Sequence, residues 1–320
     1  MKNQNTGRRL LSLVLGLLLS ILTGQAQYAG GNGKIEVGLG VGPMFALTDL
    51  GGAVGIGRSF LKDLNAERAK FSTAAFLSYH PTEWLSVRVG ATVGGVAADD
   101  TDAPNTGGAE TYRFERNLHF RSKLQEAHAA LEFYPFTFFN REAALSGQLR
   151  PYLVGGVGLF HFNPEVKDID GNWVKTHPLR LEGQGFAEYP KSKPYELTQI
   201  NLMSGVGFKY YLNNSLYVGT EVLYRKLMTD YLDDASQNYY VDPIYFDTYL
   251  PAEQAQQARR LYYRGTYSYA TTRPYTELDG RGDPTQNDSY FTTTIRLGWR
   301  LGALRGGGGR TPRSMRCPVF

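Results

Sequence analysis

The feature that most constrains the fold is a two-residue alternation, in which apolar side chains take one parity and glycine or charged side chains take the other. It is clearest from Leu216 to Leu227, in the run LYVGTEVLYRKL. Successive side chains of a β-strand point to opposite faces of the sheet. The run therefore predicts a strand with one apolar face and one charged face.

The same alternation marks eight segments, and the 37 glycines, 22 tyrosines and 17 phenylalanines agree with an all-β chain. The connections after the first, third, fifth and seventh segments are long, and the others are shorter. An up-and-down barrel in an outer membrane has this asymmetry, with short periplasmic turns and long outer loops. The predicted strands are Lys34–Gly42, Phe71–Tyr79, Leu85–Val96, Leu118–Tyr134, Arg150–Phe162, Leu197–Leu212, Leu216–Leu227 and Ser289–Leu301.

The predicted fold class is thus an all-β, eight-stranded antiparallel up-and-down transmembrane barrel with long extracellular loops and both chain ends in the periplasm. A soluble lipocalin-like barrel shares the alternation, so the faces alone leave both architectures open. The polar face favours the membrane barrel, because it is rich in glycine and carries both signs of charge, which suits a crowded interior. The predicted interior charges are Glu36, Arg88, Glu126, Glu132, Glu221, Arg225 and Arg296.

Aromatic residues near the strand ends also favour the membrane barrel, because bilayer interfaces favour such residues. They are Tyr79, Trp84, Phe133, Tyr134, Tyr210, Tyr211, Tyr217 and Trp299. The interior charges could line a conducting path or neutralise one another. The interior of an eight-stranded barrel is just wide enough for side chains to fill, so we expect a plugged barrel.

The N-terminus has the pattern of a secretory signal, with basic residues before the apolar run Leu10–Leu22 and small residues at Gly24-Gln25-Ala26. An uncleaved anchor is the alternative, but the run is shorter than the about 20 residues that a spanning helix needs. We expect a signal peptide at 1–26, a barrel at 27–303 and a basic periplasmic tail at 304–320. Cleavage lowers the formal charge from +4 to about +1, so no nucleic-acid partner is predicted.

No catalytic, cofactor-binding or metal-binding residues are predicted. The single cysteine, Cys317, excludes an internal disulfide and a Cys-based zinc site. The five histidines form no spaced cluster, and we expect His128 to bond a nearby glutamate inside the barrel. An outer-membrane hydrolase or acyltransferase is the enzymatic alternative, and it requires a nucleophile with a base near the outer rim.

The long connections contain other patterns. Asn163–Pro194 is predicted to be a loop, and its Asp168, Asp170 and Asn172 start a calcium-loop spacing that lacks the distal glutamate. Pro251–Tyr263 is predicted to be helical, with proline at its start. Thr266–Thr272 could add a hairpin, which leaves the strand number at eight to ten.

An acidic group follows the seventh strand, where the chain leaves the outer rim. Asp230, Asp233 and Asp234 could gather a divalent cation, but we expect them to pair with arginines or cap turns. Arg281-Gly282-Asp283 has the letters of a cell-adhesion tripeptide, and we interpret it as a turn before the last strand.

Five short segments carry a family resemblance: Phe160–Pro164 (FHFNP), Leu181–Gly185 (LEGQG), Arg225–Ser236 (RKLMTDYLDDAS), Arg281–Tyr290 (RGDPTQNDSY) and Cys317–Phe320 (CPVF). With them the chain resembles the PorG-like outer-membrane barrels of the Bacteroidetes type IX protein secretion system. Residues 38–52, including Thr48-Asp49-Leu50, match more loosely. The resemblance implies a non-enzymatic outer-membrane component that associates with a periplasmic ring made by a lipoprotein and its partner protein.

Two groups of residues are the candidate sites. The outer-mouth signature is Glu182, Asp230, Tyr231, Asp233 and Asp234, and the candidate periplasmic contact is Arg310, Arg313, Arg316, Cys317 and Phe320. The tail could instead be solvated or touch anionic headgroups. A generic small outer-membrane barrel for adhesion or envelope stability is the alternative function. No small-molecule substrate and no cofactor is predicted.

Overall fold

The computed structural model describes residues 34–51, 66–103, 111–139, 145–265 and 280–301. Within these residues it has ten β-strands, most of them long. The strands are β1 (Ile35–Leu47), β2 (Lys70–Tyr79), β3 (Leu85–Asp99), β4 (His119–Phe133), β5 (Leu149–His161), β6 (Pro164–Lys167), β7 (Trp173–Lys175), β8 (Thr198–Tyr211), β9 (Leu216–Leu227) and β10 (Ser289–Leu301).

Eight of these strands close into an antiparallel barrel. Their order is β3-β2-β1-β10-β9-β8-β5-β4, and β4 pairs again with β3 to complete the ring. At the seam between the chain ends Glu36 lies opposite Arg300, and at the closing seam Leu85 lies opposite Phe133. Each strand pairs with its sequence neighbour among the eight, and β1 also pairs with β10. The predicted fold class, an eight-stranded up-and-down barrel, is confirmed.

The apolar face of the barrel points outward. Leu39 and Ile295 are 59% and 63% exposed, whereas Glu36 and Arg88 on the opposite parity are 0% and 1% exposed. A soluble barrel would bury the apolar face, so the lipocalin-like alternative is wrong for this chain. An outward apolar band over a polar interior is the arrangement of a transmembrane barrel.

The position of three aromatic residues corrects the sequence analysis. Tyr134, Tyr211 and Tyr217 were expected at the bilayer interface, but they lie inside the barrel and are 2%, 1% and 0% exposed. Tyr211 and Tyr217 have the same parity as the interior charges. Tyr210 and Trp299, on the other parity, are about half exposed on the outer face.

Two glycines make room for aromatic rings inside the barrel. A Cβ on Gly207 would lie 2.4 Å from the Tyr152 ring, and one on Gly298 would lie 2.2 Å from the Tyr217 ring. Real Cβ atoms do not approach other atoms so closely. The glycine-rich polar face therefore lets large side chains lie flat across the neighbouring strands.

The short connections and the two ends of the barrel lie at the same edge. β1 begins at Ile35 opposite Tyr79, the last residue of β2, and opposite Leu301, the last residue of β10. Residues 212–215 join β8 to β9 by a tight turn, in which the Asn213 side chain accepts hydrogen bonds from the amides of Ser215 and Leu216. The β4–β5 connection at this edge contains helix α2 (Pro135–Phe139).

The long connections fold together over the opposite edge, and we call this part of the molecule the outer cap. It contains helices α1 (Thr111–Arg116), α3 (Ile244–Tyr249) and α4 (Ala252–Leu261) and the β6–β7 hairpin. Its own core consists of Val166, Leu179, Leu181, Phe186, Val241, Phe246, Leu250, Ala255, Ala258 and Leu261.

Two expectations about the long connections are corrected, and one is outside the described residues. The Asn163–Pro194 segment is not all loop, because β6 pairs with β4 and β7 pairs with β6. The predicted helix at Pro251–Tyr263 is present as α4, but α3 before it was not predicted. The hairpin suggested for Thr266–Thr272 lies outside the described residues. Among the helices of the described residues, none is long and apolar enough to cross a bilayer.

Candidate functional site

The barrel interior is one candidate site, and its charges pair off. The structure places all seven predicted interior charges inside the barrel, each less than a tenth exposed. Four glutamates each have a cation within ion-pair distance there. The pairs are Glu36–Lys209 at 2.6 Å, Glu126–Arg225 at 2.8 Å, Glu132–Arg88 at 2.9 Å and Glu221–Arg296 at 2.7 Å.

Arg88 and Arg296 link three of these pairs, those of Glu36, Glu132 and Glu221, into one network near the middle of the barrel. The Arg88 guanidinium donates to both Glu132 and Glu221, at 2.9 and 2.7 Å. Arg296 donates to Glu221 at 2.7 Å and to the Tyr152 hydroxyl at 2.5 Å. Because each buried carboxylate accepts charge-assisted hydrogen bonds, the network offsets the desolvation of its members.

Lys209 is a member of the network that the sequence analysis did not include. Its ammonium is fully buried between Glu36 and Glu132, with 2.6 and 3.0 Å separations. It lies on the parity of the interior charges, so the alternation alone would have found it. Glu36 also accepts from the Tyr217 hydroxyl and lies 3.1 Å from His80.

The remaining pair, Glu126–Arg225, lies closer to the outer edge of the barrel. Two guanidinium nitrogens of Arg225 donate hydrogen bonds to the Glu126 carboxylate, at 2.8 and 3.1 Å. Asn201 and the Tyr290 hydroxyl donate to the same carboxylate at 2.9 and 2.6 Å. His128 Nδ1 lies 3.1 Å from Glu126, which is the glutamate contact expected for this histidine.

Side chains fill the interior. The largest fully buried ones are Arg88, Arg225, Tyr134, Tyr152, Tyr211, Tyr217, Tyr290, Phe120, Phe160, Phe162, Phe186 and Lys209, and all but Phe186 belong to the barrel or its mouth. A small cavity beside Arg88 and Arg296 has a volume of about 20 Å³. That space suits about one or two waters.

An apolar layer separates the charged interior from the outer cap. It joins strand residues such as Phe120 and Phe160 to residues of the connections such as Leu50 and Leu232, all of them buried. Phe160 and Phe162 stack with ring centroids 5.4 Å apart. Burial of apolar side chains at this mouth couples the cap to the barrel.

Three of the family-like segments meet in the outer cap. Glu182 accepts hydrogen bonds from the backbone amide of Ser236 at 2.9 Å and from that of Gln237 at 3.1 Å. Its other partner is Arg281, whose Nε lies 3.3 Å away. Arg281 also donates to the Asp234 carbonyl at 3.3 Å. Burial raises the pKa of Glu182 to about 8, although the charge of Arg281 acts in the opposite direction.

Tyr231 and Asp234 of the outer-mouth signature are held by a tyrosine from another connection. Tyr195 stacks on Tyr231 with centroids 4.5 Å apart, and its hydroxyl donates to Asp234 at 2.7 Å. Asp234 has a positive φ of 62°, a conformation that non-glycine residues rarely adopt. The hydrogen bonds from Tyr195 and Arg281 hold it there.

An ion pair that the sequence does not indicate holds several of the long connections together. Two guanidinium nitrogens of Arg116 donate to the Asp100 carboxylate, at 2.7 and 2.9 Å. Asp100 also accepts from the backbone amides of Gly51 and Leu118. Arg116 further donates to the carbonyls of Asp49 and Arg281. One arginine thus ties together the connections after β1, β3 and β9, which no local pattern indicates.

The acidic group of the cap contains more carboxylates than expected. Asp233 accepts from the Ala235 amide at 2.9 Å and so caps a turn, and Asp234 bonds Tyr195. Asp230 was expected to pair with an arginine or cap a turn. Within the described ranges it does neither, because both of its carboxylate oxygens are buried without a hydrogen-bond partner there. Asp49 and Asp288, from two other parts of the chain, act electrostatically on the same group.

The described residues contain no ready-made metal or calcium centre. No group of three or more His, Cys, Asp or Glu side chains among them is arranged to hold a metal ion. Asp168 instead accepts from the Asn172 amide at 2.7 Å, which closes a turn.

The arginine of the Arg281-Gly282-Asp283 tripeptide is only 3% exposed, so this arginine is not presented at the surface.

The histidines all have structural partners. Besides His80 and His128, the ring of His119 accepts from the Lys167 amide. His161 contacts Thr198 at 3.0 Å, and His177 contacts the Tyr195 carbonyl at 3.0 Å.

The predicted signal peptide and the candidate periplasmic contact at Arg310, Arg313, Arg316, Cys317 and Phe320 lie outside the described residues.

The fold and these sites define a transmembrane β-barrel with a filled interior and a folded outer cap. No family model matches the sequence, and no curated protein matches it. Among similar solved structures, Neisserial surface protein A is 12% identical with a TM-score of 0.38, covering 85% of this chain and 99% of that chain. OprG from Pseudomonas aeruginosa is 13% identical with a TM-score of 0.38, covering 84% and 95%.

The attachment invasion locus protein Ail of Yersinia pestis is a third similar structure, 9% identical with a TM-score of 0.34, covering 84% of this chain and 98% of that chain. At these values the likeness concerns the fold, and it carries no argument about function.

Proposed function

We propose that this chain is a non-enzymatic barrel of the outer membrane that serves as a structural, anchoring component of a protein secretion machine of the type IX kind. The observation that carries the proposal is the closure of the barrel at two levels. The interior is filled by a neutralised ion network, and the mouth is covered by a cap with its own core. A barrel closed in this way suits binding to other proteins better than transport of molecules through its interior.

The arrangement of the family-like segments supports the secretion-machine part of the proposal. Leu181–Gly185, Arg225–Ser236 and Arg281–Tyr290 are far apart in sequence, yet Glu182 and Arg281 bring them into one hydrogen-bonded cluster. If the cap has a function that is common to the family, the segments that resemble the family should meet in space, as these three do. The cap is therefore the part of the molecule that we assign to this family-like role.

The partner that we propose is a periplasmic ring made by a lipoprotein and its partner protein. The barrel begins at Ile35 and ends at Leu301 on the edge that carries the short turns. In outer-membrane barrels the short turns lie on the periplasmic side. The basic tail, with Arg310, Arg313, Arg316, Cys317 and Phe320, would then reach the ring from that side, with both chain ends in the periplasm.

The test is crosslinking in intact cells that carry an affinity-tagged full chain, followed by identification of the captured proteins. We expect a periplasmic lipoprotein and its ring partner among the captured proteins. A chain lacking Thr311–Phe320 should insert normally and capture less of them. Capture of adhesion partners or peptidoglycan alone, with no secretion component, would instead support a generic envelope barrel.

A further inference from the structure

We propose that the outer cap binds a divalent cation, with calcium as the best-suited ion, through the carboxylates of Asp49, Asp230, Asp233 and Asp288. This inference concerns the cap itself and does not depend on the secretion role. We call these four residues the aspartate group.

The aspartate group is assembled by the tertiary structure from distant parts of the chain. Asp49 follows β1, Asp230 and Asp233 follow β9, and Asp288 immediately precedes β10. Backbone amides fix one oxygen on three of the four. Asp49 accepts from Asp283 at 2.5 Å, Asp233 from Ala235 at 2.9 Å and Asp288 from Leu232 at 2.8 Å.

Asp230 is the observation that points to a ligand. It is 8% exposed, and neither of its carboxylate oxygens has a hydrogen-bond partner in the described residues. The Ser236 hydroxyl is a nearby donor that acts to lower the pKa of Asp230, but the two groups do not meet the distance and angle limits of a hydrogen bond. One oxygen of Asp233, which is 1% exposed, is also without a partner. Buried acceptors without a donor cost free energy, and a cation removes that cost.

The cations of the cap are already engaged elsewhere. Arg116 is paired with Asp100 at 2.7 Å, and Arg281 is paired with Glu182 at 3.3 Å. The charges of Arg116 and Arg113 lower the pKa of Asp49, and Arg116 donates to the Asp49 backbone carbonyl rather than to its carboxylate. Among the described residues, no Lys, Arg or His forms an ion pair with a member of the aspartate group, in contrast to the glutamates of the barrel interior.

The raised pKa values of the aspartate group agree with a site that lacks a compensating cation. Burial raises the pKa of Asp230 to about 9, and the charges of Asp49 and Asp233 add to the effect. Burial and the charge of Asp49 raise the pKa of Asp233 to about 7. Burial also raises the pKa of Asp49 to about 6. Four neighbouring carboxylates resist joint ionisation, and a divalent ion relieves that repulsion.

The chemistry of the group selects the ion. Its donors are carboxylate oxygens only, which suit calcium rather than zinc. Calcium accepts six to eight oxygens in irregular geometry, including backbone carbonyls and waters. The four side chains do not form a finished coordination sphere as they stand, so binding has to draw Asp230 and its neighbours inward. We expect the weak affinity of extracellular calcium sites, about 10⁻⁴ to 10⁻³ M.

The test uses the full chain in detergent micelles, stripped with a chelator and titrated with calcium chloride at pH 7.5. The readouts are calorimetric binding and the rate at which a protease cleaves the cap. We expect saturable binding and slower cleavage for the wild type. Asp230→Asn should weaken calcium binding at least about tenfold. Its cleavage in chelator should be no faster than that of the wild type, because the neutral amide needs neither a proton nor a cation to be buried.

The matched control is Asp170→Asn, an exposed aspartate in the β6–β7 hairpin of the same cap, which should bind calcium as the wild type does. If Asp230→Asn does not fold, Asp233→Asn serves as the second variant with the same expectation. The proposal is wrong if the wild type does not bind calcium, if both variants bind it unchanged, or if only acidification protects the cap. None of these results bears on the capture experiment, so the two proposals fail separately.

Discussion

The barrel interior and the outer cap both bury many charged residues, but they neutralise them differently. In the interior, Glu36, Glu126, Glu132 and Glu221 each have their own cation within 3.0 Å. In the cap, Glu182 and Asp100 are paired in the same manner, whereas no residue in the described part of the chain donates to Asp230. The charges of the interior therefore compensate one another, whereas the cap contains buried carboxyl oxygens that no donor of the described residues satisfies.

The largest effect is expected from removing one partner of the interior network. Lys209→Met leaves Glu36 and Glu132 facing each other with less compensation, and breaking a buried pair in this way costs about 3–5 kcal/mol. Folded barrels migrate differently from unfolded ones in electrophoresis without boiling, so a urea titration read in this way measures the loss.

The double variant Lys209→Met, Glu36→Gln is the control for this experiment. It removes one charge of each sign, and Glu132 keeps Arg88 at 2.9 Å. It should recover part of the lost stability. A Lys209→Met barrel as stable as the wild type would show that the interior charges do not act as one network.

A smaller effect, confined to the cap, is expected from Glu182→Ala. It leaves Arg281 buried without its carboxylate and removes the acceptor for the Ser236 and Gln237 amides. An unsatisfied buried donor costs about 1–3 kcal/mol, and more when it is charged. We expect rapid proteolysis within residues 228–288 while the barrel stays folded by electrophoresis.

Glu182→Gln keeps an oxygen acceptor for the two amides and should show an intermediate proteolysis rate. If Glu182→Ala also unfolds the barrel, the cap and the barrel form one cooperative unit, and the contrast drawn between the two regions is wrong.

The pH dependence of the cap follows from the direction of the aspartate pKa values. The folded-state pKa is raised, to about 9 for Asp230 and about 7 for Asp233, above an unfolded value of about 3.9. The folded cap thus binds more protons than the unfolded cap between these limits, so its stability falls as pH rises from about 4 to 9. Protease resistance in chelator, measured from pH 5 to 9, should decline accordingly.

Glycine substitutions provide a more local comparison within the barrel. An alanine Cβ at Gly207 would collide with the Tyr152 ring at 2.4 Å, and Tyr152 donates to Glu221. Overpacking of this kind costs about 1–3 kcal/mol. Gly155, on the outer face, has no neighbour closer than 3.9 Å, so Gly155→Ala should be near neutral. Urea unfolding of the two variants measures the difference.

The smallest expected effect is the electrical one. Because side chains fill the interior and the apolar layer covers the mouth, planar-bilayer recordings of the purified chain should show no stable large conductance. Steady large channels would contradict the plugged interior directly. Arg88→Ala is the useful comparison, since it widens the space beside the existing cavity.

Much of the barrel could be predicted from the sequence because strand alternation is local. The bounds of β9 and β10, Leu216–Leu227 and Ser289–Leu301, agree with their predicted ranges. β1 continues past Gly42 to Leu47 because Met44 to Leu47 pair with β10, and the residues themselves give no such signal. Lys209 and the interior position of Tyr211 follow from parity, although Lys209 was not counted among the predicted interior charges and Tyr211 was expected at the bilayer interface.

The candidate site in the cap could be predicted only in part. The acidic residues after β9 were recognised, but the partners of Glu182 and the clamp between Arg116 and Asp100 were not. Asp49 and Asp288 were not associated with Asp230 either. Apart from the Arg116–Asp100 pair, which lies within the β3–β4 connection, these contacts join connections that are far apart in sequence, and no local periodicity encodes which loops meet.

The sequence by itself therefore determined the barrel, its strand directions and which face carries charge, because a two-residue period assigns every side chain to a face. The tertiary structure decided which charges neutralise each other and which do not. That outcome depends on how closed strands and folded loops bring distant side chains within a few ångströms, where burial makes each missing partner costly.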